Sequence, residues 1–150
     1  MTPKQAINFA RMVAKTLGVF RKIKKLEFKN CRHGWCDDVT GALTYPAYIF
    51  HTSDAYIKHF LIHEVAHLKC PAEMHGKEFL KWEVRMNKRF GLRVIYSGIY
   101  AASLYDLNGN LLYKQAWADR IATAKGESAR KVLALKYTKI LQKLQKVVRN

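Results

Sequence analysis

No run in this 150-residue sequence is apolar for long enough to cross a bilayer; the longest weakly polar stretch, Val94 to Tyr105, falls far short. A spanning helix needs roughly 20 such residues. Met1 is followed by mixed, amphipathic residues and not by the apolar centre of a signal peptide. Cysteine is scarce and odd in number, three in all. That excludes a disulfide framework and points to free thiols in a reducing, cytoplasmic setting. Repeats and low-complexity tracts are missing, and the chain is not collagen-like. Acidic residues are few: 11 Asp+Glu face 27 Lys+Arg, a formal charge of +16. What is plentiful is apolar side chain, 49% of residues, which argues against disorder and supplies one compact core. The expectation is a soluble, monomeric protein that meets polyanions, nucleic acid ahead of membrane.

The charge is unevenly spread. Residues 1–30 carry +7, residues 31–76 carry −2, residues 77–93 carry +4 and residues 94–150 carry +7. A near-neutral centre between basic flanks suits local chemistry in the middle and a long-range field around it.

Helical and strand patterns alternate along the chain. Thr2-Pro3 opens a helix with Ile7, Ala10, Val13 and Leu17 on one side, stopped by Gly18. Ile23 to Phe28 alternates as a strand, and residues 30–42 look like a loop or hairpin tip. Ala47 to His51 is β-prone behind Pro46, which predicts an edge strand. Thr52-Ser53-Asp54 caps a helix with Ile57, Leu61, Val65 and Leu68 inward, ended by Cys70-Pro71. A second helix follows from about Gly76 to Phe90, with Phe79, Trp82, Met86 and Phe90 inward. Val94–Tyr105 and Leu111–Tyr113 read as strands about an Asn108-Gly109 turn, and from Ala116 the chain reads as helix to its end.

The centre of the sequence is His63-Glu64-Val65-Ala66-His67. Four residues advance a helix by about 400°, so both imidazoles lie on one face, a turn apart, and reach one ion. Glu64 flanks the open position without being a ligand and can take a proton from a water there. His75, just past the helix break, is the preferred third ligand; Glu73, Glu78, Glu83 and Cys70 are its rivals. Three histidines around Zn²⁺ form an open site, with Glu64 placed as general base toward a water held there. Tyr48, His51, Tyr96 and Tyr100 are candidate oxyanion donors.

His63-Glu64-Val65-Ala66-His67-Leu68 followed by His75-Gly76-Lys77-Glu78-Phe79 resembles the HExxH…HGxxF pattern of the SprT-like zinc metallopeptidases, the group that includes Spartan, and of the related WLM metallopeptidases. The resemblance covers roughly residues 20–95. It implies an α+β, zincin-like minimal metallopeptidase, a small sheet with an edge strand packed on the HExxH helix. It also implies that a protein or peptide substrate lies along that edge strand, at Tyr48, Ile49, Phe50 and His51, and that substrates are often DNA-bound proteins. The seven residues between His67 and His75 are a short gap, and no Cys₄ zinc ribbon follows, so the DNA-binding element of such members is not carried over.

The expected division is a metallopeptidase domain over 1–100 and a basic extension of hairpin and helices over 101–150. Within that extension Ile121-Ala122, Gly126, Ser128 and Val132 have helix-turn-helix spacing, which would face Arg130 and Lys131 to DNA. An ordinary helical hairpin is the alternative. Along the last helix Lys136 and Lys139 add candidate phosphate contacts beside a Leu133, Tyr137, Ile140, Leu144 stripe. Cys31, His33 and Cys36 with Cys70 form a weaker candidate for a second zinc; free thiols are the preferred alternative. Two rival functions remain: a DNA-binding regulator with a structural or vestigial zinc, and an ImmA/IrrE-like peptidase that cuts a repressor.

Overall fold

The computed structural model describes residues 1–71, 73–96 and 102–149. Helix α1 (Pro3–Leu17) starts at Thr2, whose Oγ1 accepts from the Gln5 N–H while the Gln5 side chain accepts from the Thr2 N–H. This reciprocal cap satisfies two otherwise orphaned donors. Strands β1 (Lys25–Lys29), β2 (Trp35–Asp37) and β3 (Ala42–Pro46) form a sheet of order β1-β3-β2. β1 runs parallel to β3, from Lys25 opposite Ala42 to Lys29 opposite Pro46, and β2 is antiparallel to β3. The segment expected to be a loop or hairpin tip thus contains a short edge strand.

The β-prone stretch Ala47–His51 is a 3₁₀ turn and not the predicted edge strand. Its Tyr, Ile and Phe content favours extension, but β-propensity is realised only where a partner strand exists. Here the β1 ladder ends at Pro46 and the β2 ladder ends at Thr44, so the backbone closes on itself, with the Thr52 N–H on the Ile49 carbonyl. Tyr48 and Ile49 are buried in consequence.

Helix α2 (Asp54–Lys69) is capped by Ser53, whose Oγ accepts from the Tyr56 N–H, and ends at Cys70 before Pro71. Its Ile57, Leu61, Ile62, Val65 and Leu68 are all buried, packed between α1, the first sheet and helix α3 (Lys77–Arg89). β4 (Leu92–Tyr96), β5 (Ala102–Asp106) and β6 (Leu111–Tyr113) make an antiparallel second sheet in that order. The single strand expected across Val94–Tyr105 is therefore two paired strands, Leu92 opposite Asp106 and Tyr96 opposite Ala102. The tight turn at Asn108-Gly109 is held by Asp106 Oδ1, which accepts from the Asn108 and Asn110 N–H groups.

The end of the chain is two helices, α4 (Gln115–Thr123) and α5 (Glu127–Arg149), in the stretch that reads as helical from Ala116. Gly126, at φ +89°, makes the break, a conformation that costs an L side chain strain. Ser128 lies inside the first turn of α5, so it does not cap that helix. Tyr56 stacks on Tyr113, and Trp117 stacks on Tyr137, so α2, β6, α4 and α5 share one hydrophobic cluster with α1 and β3. The fold is mixed α+β with small sheets and, among the described residues, five α-helices. Among the described residues no helix is long and apolar enough to cross a membrane.

Candidate metal centre

α2 turns His63 and His67 to one side, their ring centroids 5.1 Å apart. The break at Cys70-Pro71 returns the chain so that His75, in the link to α3, brings its Nε2 to 3.1 Å from His63 Nε2. One donor atom from each of the three lies within 4.8 Å of the others, the one such cluster among the described residues. Two nitrogens bound tetrahedrally at 2.0–2.1 Å would stand ~3.3 Å apart, so the His63–His75 separation fits a shared ion. Phe79 of α3, fully buried, packs against all three rings with centroids 4.4–5.1 Å away and fixes their planes.

Behind His63 stands Glu83, also buried, with Oε2 2.5 Å from His63 Nδ1. The Tyr96 hydroxyl donates to Glu83 Oε1, and Asn87 Nδ2 donates to the Glu83 carbonyl. Asn87 Oδ1 meets His59 Nδ1 at 3.1 Å. A carboxylate on Nδ1 fixes the tautomer and turns the Nε2 lone pair toward the cluster. Burial pulls His63 down, but the hydrogen bond and charge of Glu83 reverse this and hold it above the ordinary histidine range. Glu83 in turn is kept below the carboxylate range despite burial, by His63 first. His67 is pulled down to about 4, by burial and then by His63 and His75. His75 is lowered by burial and by His63. His67 and His75 are thus neutral near pH 7, and neutral imidazole is the form that ligates metal.

Glu64 points from the same turn and is 5% exposed. Burial pushes its carboxyl up to about 7, with His63 opposing and Glu83 adding to the rise. Gly34, just before β2, allows this packing: a Cβ there would stand 2.6 Å from the Phe60 ring and 3.0 Å from Glu64 Oε1. Two cavities flank the centre and share His63, Glu64 and His75. One, of about 280 Å³, is walled by Tyr48, Tyr56, Phe60 and α4; the other, of about 310 Å³, by Trp35, Cys36, Asp38 and Met74.

The rival third ligands have other tasks. Glu73 Oε1 accepts from the Glu78 N–H at the start of α3, Glu78 is exposed beside Lys81, and Cys70 is the buried C-cap of α2. Glu83 touches His63 and is outside the cluster of donor atoms. The substrate-edge assignment is corrected throughout Tyr48, Ile49, Phe50 and His51. Tyr48 donates its hydroxyl to the Arg32 carbonyl, and Ile49 is buried. Phe50 packs edge-on against Phe28, and the His51 carbonyl accepts from Thr138. The strand that does border the cleft is β2. Of the oxyanion candidates, Tyr48 and Tyr96 donate elsewhere, and Tyr100 lies outside the described residues. Cys31, Cys36 and Cys70 are free, and with His33 they form no metal-sized cluster among the described residues.

The basic candidates divide. Lys131, Lys136 and Lys139 are exposed on α5. Arg130 is corrected: it is 6% exposed, and its guanidinium donates to the Ala124 carbonyl and to Asn30 Oδ1. It ties α5 to the loop after β1 and presents nothing to a phosphate. Sequence reasoning missed Glu83 as the partner of His63, Gly34 as the contact of Glu64, and β2. Glu83 had a signal, a carboxylate four residues past Phe79 on the inward stripe of α3, where a charge is unexpected without a partner.

No family model and no curated protein matches the chain. Among solved structures it is similar to the metallopeptidase zymogen of Pyrococcus abyssi abylysin, at 18% identity and a TM-score of 0.47. That similarity covers 57% of this chain and 88% of the other.

Proposed function

We propose that the protein is a zinc-dependent metallopeptidase whose ligands are His63, His67 and His75 and whose general base is Glu64. One observation carries this: three imidazole donors within 4.8 Å of one another, beside a buried carboxylate on the same helix. An all-imidazole donor set suits Zn²⁺ and leaves a fourth position open. When bound, the ion would supply a Lewis acid for the scissile carbonyl and acidify water at that position. Glu64 then does the proton work: its carboxylate accepts a proton from the attacking water and delivers it to the departing amine. Its raised affinity for protons, about 7, suits a group that must take up and release one near neutrality. Glu83 holds His63 by Nδ1 throughout, relayed by Tyr96.

The zincin-like reading and the resemblance to SprT-like enzymes are part of this proposal. The role of substrate edge passes from Tyr48–His51 to β2, which pairs with β3 on one side and lines the cleft. An extended peptide adds to such an edge by main-chain hydrogen bonds. The +16 charge and the exposed lysines of α5 support substrates among nucleic-acid-associated proteins, with DNA as the scaffold.

The test is hydrolysis of an unfolded protein by the zinc-loaded chain, with and without DNA and chelator, beside Glu64→Gln. The expected result is loss of hydrolysis with chelator and in the variant, which keeps one zinc per chain. A Glu64→Gln variant as active as wild type would overturn the mechanism.

A further inference from the structure

The 280 Å³ cavity beside His63 and Glu64 departs in charge from the rest of the chain. Of 27 Lys+Arg in the sequence, none lines it among the described residues, whereas two carboxylates do. Glu64 stands at the reacting centre. Asp119, contributed by α4, also lines the cavity and is exposed. Its side chain accepts from Gln115 Nε2 at 2.5 Å, and among the described residues no cation pairs with it. Besides histidines and Gln115, the walls are aromatic (Tyr48, Tyr56, Phe60) or small (Ala118, Ala122). The volume lies just under the roughly 300–1,000 Å³ of sites that enclose a drug-sized ligand, so it suits one side chain.

We propose that this cavity receives a single substrate side chain next to the scissile bond, and that Asp119 makes it favour Lys or Arg. The inference rests on the peptidase reading above and adds its substrate class. The walls match a long cationic side chain in two parts. Aromatic faces and alanine methyls cover an apolar stem, and ring faces also attract a cation. The carboxylate of Asp119 meets the charged head. An acidic side chain would meet a like charge at Asp119, where a basic one finds an opposite charge. Specificity then comes from α4, outside the metal motif, so the segment after residue 101 shapes the choice of substrate while α2 does the chemistry.

The experiment uses the full zinc-loaded chain and a peptide library in which one Lys, Leu, Phe, Ala or Glu is walked through a fixed sequence, with cleavage sites read by mass spectrometry. Lys should be favoured over Glu at one position. Asp119→Asn should lower that Lys:Glu ratio of kcat/KM roughly fivefold, the upper end for a solvent-reached ion pair. Asp119→Lys should invert it. Ala122→Trp, which fills the cavity, should shift the preference toward small side chains. Binding of the same peptides to Glu64→Gln, measured by fluorescence anisotropy, should follow the same order and lose it with Asp119→Asn added. If the wild type cleaves nothing, the peptidase reading fails, and the binding series still decides the cavity. An unchanged Lys:Glu ratio in Asp119→Asn, or a preference for aromatic over basic side chains, would overturn the proposal.

Discussion

α2 and α5 are both long helices with apolar residues at helical spacing, yet the fold treats them oppositely. α2 is enclosed by α1, the first sheet and α3, and even Glu64 within it is buried. α5 is anchored by Ala134, Tyr137 and Leu141 against the 3₁₀ turn and α4, and shows Lys131, Lys136, Lys139, Lys143 and Lys146 to solvent. Enclosure on every side is what places donor atoms to within a fraction of an ångström. One-sided anchoring is enough to display charge, which acts over a Debye length of roughly 8–10 Å and needs no such placement. The two helices should therefore answer differently to mutation.

The largest effect is expected at Glu64. Glu64→Gln should reduce kcat/KM for a peptide roughly 10²–10⁴-fold, the usual contribution of a general base. Zinc bound per chain, read by mass spectrometry of the native protein, should not change. Replacing Lys136 and Lys139 by Gln on α5 should leave the same kcat/KM within error. If the α5 change cost as much as the α2 change, the two helices would not be divided in this way.

Next comes the core beneath each helix. Leu61 on α2 is wholly buried and Leu141 on α5 is 3% exposed, so both truncations should destabilise. Leu→Ala in a core costs about 2–5 kcal/mol, and more where the surroundings cannot relax. Leu61→Ala should fall near the top of that range and Leu141→Ala near the bottom, as read from urea midpoints at a common m-value. Equal losses would mean that α5 is as tightly enclosed as α2.

The same contrast explains what was legible in the sequence. Thr2, Ser53, Gly18 and Asn108-Gly109 act through their own neighbours, and each does in the fold what its type predicts. The spacing of His63, His67 and His75 was legible for the same reason, since a helix turn and a break fix where they can reach. Ala47–His51 misleads because its fate depends on where the β1 and β2 ladders end, a property of other segments. Arg130 misleads because its partner, Asn30, is 100 residues away. Glu83 reads as a rival ligand, but the direction of its carboxylate is set by how α3 lies on α2, which no local pattern encodes.

A smaller effect tests that long-range part of the site. Glu83→Gln keeps the shape but removes the charge from His63 Nδ1. Zinc affinity, measured by competition with a chromophoric chelator, should fall about 10–100-fold, as for other outer partners of ligand histidines. Tyr96→Phe, one step further out, should fall by less. If Tyr96→Phe weakened zinc as much as Glu83→Gln, the hydroxyl and not the carboxylate would be holding the histidine.

The smallest effect on the protein itself should come from the lysines of α5. Exchanging Lys131, Lys136 and Lys139 for Gln should change stability by less than about 0.5 kcal/mol, since all three are exposed. Binding to duplex DNA is where the change should be read. Each of these lysines that neutralises a phosphate should, once replaced, make the slope of log K against log salt shallower by about 0.9. Arg130→Ala should do the reverse, costing stability through Asn30 and Ala124 and leaving that slope alone. DNA affinity of the wild type should collapse between about 50 and 200 mM salt while zinc occupancy and peptide hydrolysis stay constant. If occupancy and hydrolysis fell along with DNA affinity, charge display on α5 and chemistry on α2 would be one device, and the contrast between the helices would lose its functional meaning.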